Sequence, residues 1–73
     1  MSLSPEQLER MRYLLGKSQH TSLTPAEQDE VRRYVVAEKP EAKDETFDTV
    51  VTLGLIIVGA YILYEFIESR STA

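Results

Sequence analysis

Glu65 is the residue whose type and position most invite a chemical role, because it is the one Asp, Glu, Lys, Arg or His in the apolar run 50–67. A carboxylate inside a membrane span can carry protons or bind an ion. Glu65 stands near the end of the run, within reach of lipid headgroups, so we expect it to extend to the interface instead. His20, the only histidine, lies in a polar stretch and predicts a solvated loop residue.

Other residue patterns typical of catalytic or ligand-binding sites are absent from the sequence. It has no cysteine, no Gly-rich phosphate loop and no nucleophile spaced to meet a base. Acidic residues are interleaved with arginines, as in Glu6 with Arg10, which is typical of a solvated helix face. We therefore predict a non-enzymatic protein with no catalytic, cofactor-binding or metal-binding residues and no small-molecule substrate.

Charge points away from nucleic acid as a partner. The net charge is −4 and the pI is near 4.8, whereas nucleic-acid surfaces need clustered Lys and Arg. The segment from Leu23 to Val31 resembles the opening helix of LuxR-type helix-turn-helix domains, which commonly begins with Leu, Thr, Pro and an acidic residue. The resemblance stops there, because Pro40 and the apolar run occupy the place of a recognition helix. DNA binding is therefore not expected.

The apolar run predicts a helix that crosses a membrane. Its residues, 50–67, would form about 27 Å of helix, close to the roughly 30 Å of a hydrocarbon core. Together with the flanking residues, we predict one transmembrane helix over 49–68. The strictly uncharged part, 50–64, is short for a span. A helix buried in a soluble assembly therefore remains the alternative.

The first helix is predicted at about residues 5–15. Ser4, Pro5 and Gln7 provide a capping hydroxyl, a proline in the first turn and the partner of a capping box. Gly16 is a natural stop, because glycine readily adopts the left-handed conformation that follows a last helical turn.

The second helix is predicted at about residues 25–39 and begins in nearly the same way. Thr24 and Glu27 form a second capping box, and Pro40 ends the helix. The similarity of the two segments is consistent either with an internal duplication or with repeated use of one helix-start pattern.

These two short amphipathic helices can close as a helical hairpin. The predicted interaction face of this head consists of Leu8, Met11, Leu15, Val31, Tyr34 and Val35. Such a core is thin, since ordering the chain offsets the burial of so few side chains. We expect the head to gain order from the membrane surface, from copies of itself or from another protein.

The predicted architecture is therefore all-α, with a two-helix head at 1–39, a polar connector at 40–48, the span at 49–68 and a short tail at 69–73. Basic residues concentrate before the span, at Arg32, Arg33, Lys39 and Lys43. The positive-inside rule then places the head in the cytoplasm. A weak pattern predicts helix association in the membrane through Thr52, Leu55, Ile56, Gly59 and Phe66.

Three classes of function fit this layout. The first is a non-catalytic single-pass membrane protein that acts as a structural or accessory subunit, or adaptor, of a larger membrane complex. The second is a self-assembling membrane protein of viral type, either a virion membrane component or a holin-like protein. The third is a soluble virion component whose apolar helix is buried in an oligomer. The expected partners are membrane lipid, a larger membrane complex or further copies of the chain.

Overall fold

The computed structural model describes residues 3–71, with side chains described as far as Glu68. The elements in chain order are α1 (Pro5–Ser18), α2 (Pro25–Glu38), a 3-10 segment (Pro40–Asp44) and α3 (Phe47–Ser71). All the regular structure in the described range is helical, which confirms the predicted all-α class. The prediction of a C-terminal helix long enough to span a membrane is confirmed as well.

Both predicted capping boxes are present. At α1 the Ser4 hydroxyl accepts from the Gln7 amide at 3.1 Å, and the Gln7 side chain accepts from the Ser4 amide at 2.9 Å. At α2, Thr24 and Glu27 exchange the same two bonds at the same distances. Each box satisfies amide groups that have no partner within the helix, so each helix begins where its sequence specifies.

The predicted end of α1 at Gly16 is wrong. The helix continues to Ser18, and Gly16 does not have a positive φ. Side chains in the added turn hold it in place: the Ser18 hydroxyl donates to the Leu15 carbonyl at 2.6 Å, and Lys17 pairs with Glu27 of α2 at 2.7 Å. These contacts offset the weak helix preference of glycine.

The connector is more ordered than a simple polar link. Pro40 ends α2 as predicted and starts the 3-10 segment. One guanidinium nitrogen of Arg32 lies 3.1 Å, 3.3 Å and 2.7 Å from the carbonyl oxygens of Ala42, Lys43 and Glu45. Arg32 therefore fastens the 3-10 segment to α2.

The two N-terminal helices pack against each other as a hairpin. Five residues of the predicted head face, Leu8, Met11, Leu15, Val31 and Val35, are buried, and Tyr34 is partly buried. Two ion pairs cross between the helices: Arg10 with Glu30 at 2.8 Å and Lys17 with Glu27. The head face is thus the hairpin's own core, and these cross-helix ion pairs were not predicted.

The third helix completes this core. Val50 and Ile57 of α3 are buried in the same apolar cluster as Met11, Leu15 and Val35. The thin two-helix core expected from the sequence is therefore a three-helix core. The third side of this core is formed by the first half of α3, the helix that was predicted to span the membrane.

The predicted tail at 69–73 divides into two parts. The backbone of α3 continues helically through Ser71. Residues 72 and 73 lie outside the described range.

Candidate functional site

The apolar helix α3 presents two faces with different surroundings, and these are the candidate functional surfaces. The face toward the hairpin, here called the docked face, consists of Val50, Gly54, Ile57 and Tyr61. The face away from it, here called the open face, consists of Thr52, Leu55, Ile56, Gly59, Ile62, Leu63, Phe66 and Ile67. Residues of the docked face are three or four positions apart, which aligns them along one side of a helix.

Close packing against the hairpin defines the docked face. Gly54 is buried, and a methyl group at its Cα would lie 3.2 Å from Leu15 Cδ1 and 3.3 Å from Val35 Cγ2. The absence of a side chain at position 54 is what allows the α3 backbone to approach both hairpin helices. Val50 is fully buried beside it.

Tyr61 closes the far end of the docked face. Its hydroxyl donates to Glu38 Oε1 at 2.8 Å and accepts from the backbone amide of Leu3 at 3.1 Å. One hydroxyl thus links α3 to the end of α2 and to the residue before the α1 cap. This polar contact fixes the side chain of Tyr61 between α3 and the open end of the hairpin.

The open face is apolar and uncovered within the described part of the chain. Its six large side chains are between 45% and 58% exposed: Leu55, Ile56, Ile62, Leu63, Phe66 and Ile67. Thr52 and Gly59 are also exposed. Soluble monomers rarely expose contiguous apolar patches larger than a few hundred Å², which makes the open face a candidate contact surface.

The residues predicted for helix association fall together on this face. Thr52, Leu55, Ile56, Gly59 and Phe66 all lie on the side of α3 that the hairpin leaves uncovered. No contact within the described residues tests whether they associate with another helix, so that part stays a prediction. The residues Ile62, Leu63 and Ile67 continue the same face and were not included in the prediction.

Glu65 lines a groove between the start of α1 and α3. The groove has a volume of about 420 Å³, and Leu3, Leu8, Tyr64 and Glu68 also line it. Among the described residues, no group of three or more His, Cys, Asp or Glu side chains could hold a metal ion. His20 is exposed after the end of α1, in the predicted loop.

The ion pairs between α1 and α2 lower the pKa values of two glutamates on the hairpin. The hydrogen bond from Arg10 lowers the pKa of the Glu30 carboxyl, and a second bond from the Tyr34 hydroxyl at 2.7 Å adds to the effect. The ammonium group of Lys17 lowers the pKa of Glu27 in the same way. These carboxylates stay ionised at neutral pH, so the outer surface of the hairpin is charged.

Length and composition make α3 a candidate span. The segment Phe47–Glu68 has 22 residues. Its most apolar 18-residue window has a mean hydropathy of 2.2, and 17% of that window is buried inside the protein. It is therefore long and apolar enough to cross a membrane.

Comparison with protein-family models, with curated proteins and with solved structures found no match for this chain.

Proposed function

We propose that this chain is a small, non-catalytic, membrane-anchored accessory subunit or adaptor. In this proposal α3 is the anchor, and the α1–α2 hairpin acts at the cytoplasmic surface on a protein of a larger membrane complex. The observation that carries the proposal is the open face of α3, whose large apolar side chains from Leu55 to Ile67 are all between 45% and 58% exposed.

The size of this face supports a lipid environment. Six large side chains at about half exposure present on the order of 600 Å² of apolar surface, which reaches the upper end of the patches found on soluble monomers. Removing that area from water is worth on the order of 15 kcal/mol. A bilayer supplies this gain without a dedicated partner.

The length of the helix supports a full crossing. The segment Phe47–Glu68 has 22 residues. At about 1.5 Å per residue that is roughly 33 Å of helix, against a hydrocarbon core of about 30 Å. Four Lys and Arg residues lie in the stretch 32–43 ahead of it. Their position favours a cytoplasmic hairpin.

The hairpin is better suited to bind a protein than to catalyse a reaction. Its cross-helix ion pairs, Arg10 with Glu30 and Lys17 with Glu27, give it a defined charged surface. Its histidine, His20, lies alone in an exposed loop. An adaptor needs such a surface on a fixed scaffold, which the capped hairpin provides.

Membrane fractionation tests the anchor. We expect the full chain to stay in the membrane pellet after alkaline carbonate washing and to dissolve in mild detergent. The double variant Leu55→Lys with Ile56→Lys places two charges at the middle of the span. Each costs about 2.5–3.5 kcal/mol at that depth, so the variant should move to the supernatant.

Tyr13→Lys is the matched control. Tyr13 lies on α1 and is 59% exposed, against 56% for Ile56. The Tyr13→Lys variant loses a comparably exposed apolar side chain from the hairpin, so it should remain in the pellet. Carbonate extraction of the wild-type chain would overturn the anchor.

Self-assembly through the open face is the second candidate. Gly59 lies within this face, and a side chain there would begin in open space as far as the described residues are concerned. Small residues let two helices approach closely. A discrete multiple of the monomer mass in detergent would favour a self-assembling protein of viral type. A monomeric mass would favour a subunit that binds a different protein.

A further inference from the structure

The hairpin and a lipid bilayer compete for the same length of α3. The docked face extends from Val50, which is fully buried, to Tyr61, whose hydroxyl is bonded to the hairpin. This stretch contains more than half of the candidate span Phe47–Glu68. The part of α3 beyond Tyr61 is about 15 Å long, half of a hydrocarbon core, so a crossing has to include the docked part.

The charged surface of the hairpin makes the two arrangements incompatible. While it is docked, the hairpin lies alongside the middle of the span, together with the ion pairs Arg10–Glu30 and Lys17–Glu27. The side chain of Arg10 is 46% exposed. Exposed ionised groups at that depth would face hydrocarbon, which is costly and rare in membrane proteins. The docked helix cannot cross the bilayer with the hairpin in place.

We infer that the hairpin shields α3 before membrane entry and is released from it when α3 inserts. This inference rests on the proposed membrane anchor. Before insertion, the hairpin covers Val50, Gly54 and Ile57, and the open face remains available to meet the bilayer first. After insertion, the docked face contacts lipid and the hairpin lies outside the membrane.

The connector shows where the chain would open. Arg32 bonds to the carbonyl groups of Ala42, Lys43 and Glu45, so the 3-10 segment stays with α2. Glu45 has an extended backbone, and α3 begins two residues later at Phe47. The hinge is therefore at Thr46, between the Glu45 carbonyl that Arg32 holds and the start of α3. The cross-helix ion pairs lie within the hairpin, and its release leaves them intact.

A reversible cross-link tests the release directly, because the chain has no native cysteine. A methyl group at position 54 would lie 3.3 Å from a Val35 side-chain carbon, so the pair Val35→Cys with Gly54→Cys is placed to form a disulfide in the docked form. The full chain carrying both changes is prepared without lipid, oxidised, and mixed with vesicles of phosphatidylcholine and phosphatidylglycerol. The same preparation after reduction is the matched control.

Retention on the vesicles after carbonate washing is the readout. We expect the reduced chain to be retained and the oxidised chain to be retained at least ten-fold less. Equal retention of the two forms would overturn the release while leaving the anchor standing. Absence of retention for the wild-type chain would overturn the anchor and the release with it.

A milder pair of variants tests the same inference without altering the packed core. Tyr61→Phe removes the hydroxyl that bonds to Leu3 and Glu38, so the docked form should open more easily and vesicle association should be several-fold faster. Tyr64→Phe makes the same chemical change on a tyrosine that is 57% exposed, and its rate should match that of the wild type. Equal rates for the two variants would contradict the release.

Discussion

The two faces of α3 are built from the same kinds of residue and have different surroundings. Ile57 on the docked face is 5% exposed, whereas its neighbour Ile56 on the open face is 56% exposed. A methyl group at Gly54 would contact Leu15 and Val35, whereas one at Gly59 would meet no atom of the described residues within 4 Å beyond the adjoining helix backbone. The difference shows that apolar character does not decide which side of this helix is covered. The shape of the hairpin decides it, through the close approach that Gly54 permits.

Alanine substitutions at the two adjacent isoleucines should separate the faces most clearly. Ile57→Ala leaves a cavity between α3 and the hairpin, and we expect it to lower the free energy of unfolding by about 2–5 kcal/mol. Ile56→Ala removes surface atoms and should change it by less than about 0.5 kcal/mol. Urea unfolding of the full chain, followed by circular dichroism, measures both. Similar losses at the two positions would mean that α3 is not docked as described.

Leucine substitutions at the two glycines test the close approach itself. Gly54→Leu forces a side chain into the contact with Leu15 and Val35, and overpacking of this kind costs about 1–3 kcal/mol. Gly59→Leu meets open space and gains helix preference, so it should be neutral or stabilise by up to about 1 kcal/mol. The thermal midpoint should therefore fall for Gly54→Leu and stay level or rise for Gly59→Leu. A stabilising Gly54→Leu would contradict the packing of the docked face.

The dependence of stability on acid distinguishes the charged hairpin from the apolar docked face. We expect this effect to be smaller than those of the core substitutions. The pKa values of Glu27 and Glu30 are lowered by Lys17 and Arg10, so their stabilising contribution is present above the ordinary glutamate value of about 4.3. It is lost as the pH falls through the lowered values. We expect the thermal midpoint to fall over that range.

Two variants serve as controls for the titration. Glu27→Gln with Glu30→Gln should flatten the acid dependence, because neither amide titrates. Ile57→Ala should lower the thermal midpoint at every pH and leave the acid dependence unchanged. An acid dependence that persists in the glutamine variant would have to come from other groups.

Local sequence signals predicted the ends of the helices well where a single strong local interaction sets the end. The Ser4 and Thr24 capping boxes and Pro40 placed both starts and the end of α2, since caps and proline act within a few residues. Gly16 misled the prediction for α1, because contacts from Lys17 to the neighbouring helix outweigh a local preference. The pairing of Arg10 with Glu30 could not be predicted either. Rules for side chains three or four residues apart apply within one helix, and these two residues lie on different helices.

The sequence by itself determined that this protein is helical, where its capped helices begin, and that α3 is apolar enough to enter a membrane. These properties depend on composition and on contacts within a turn or two. Only the tertiary structure decided which face of α3 is docked. It alone also shows that Tyr61 bonds to Leu3 before α1 and to Glu38 at the end of α2. A helix that is apolar on all sides carries no periodic signal of which face is buried. The choice is made by the shape of the hairpin, in contacts between residues far apart in the chain.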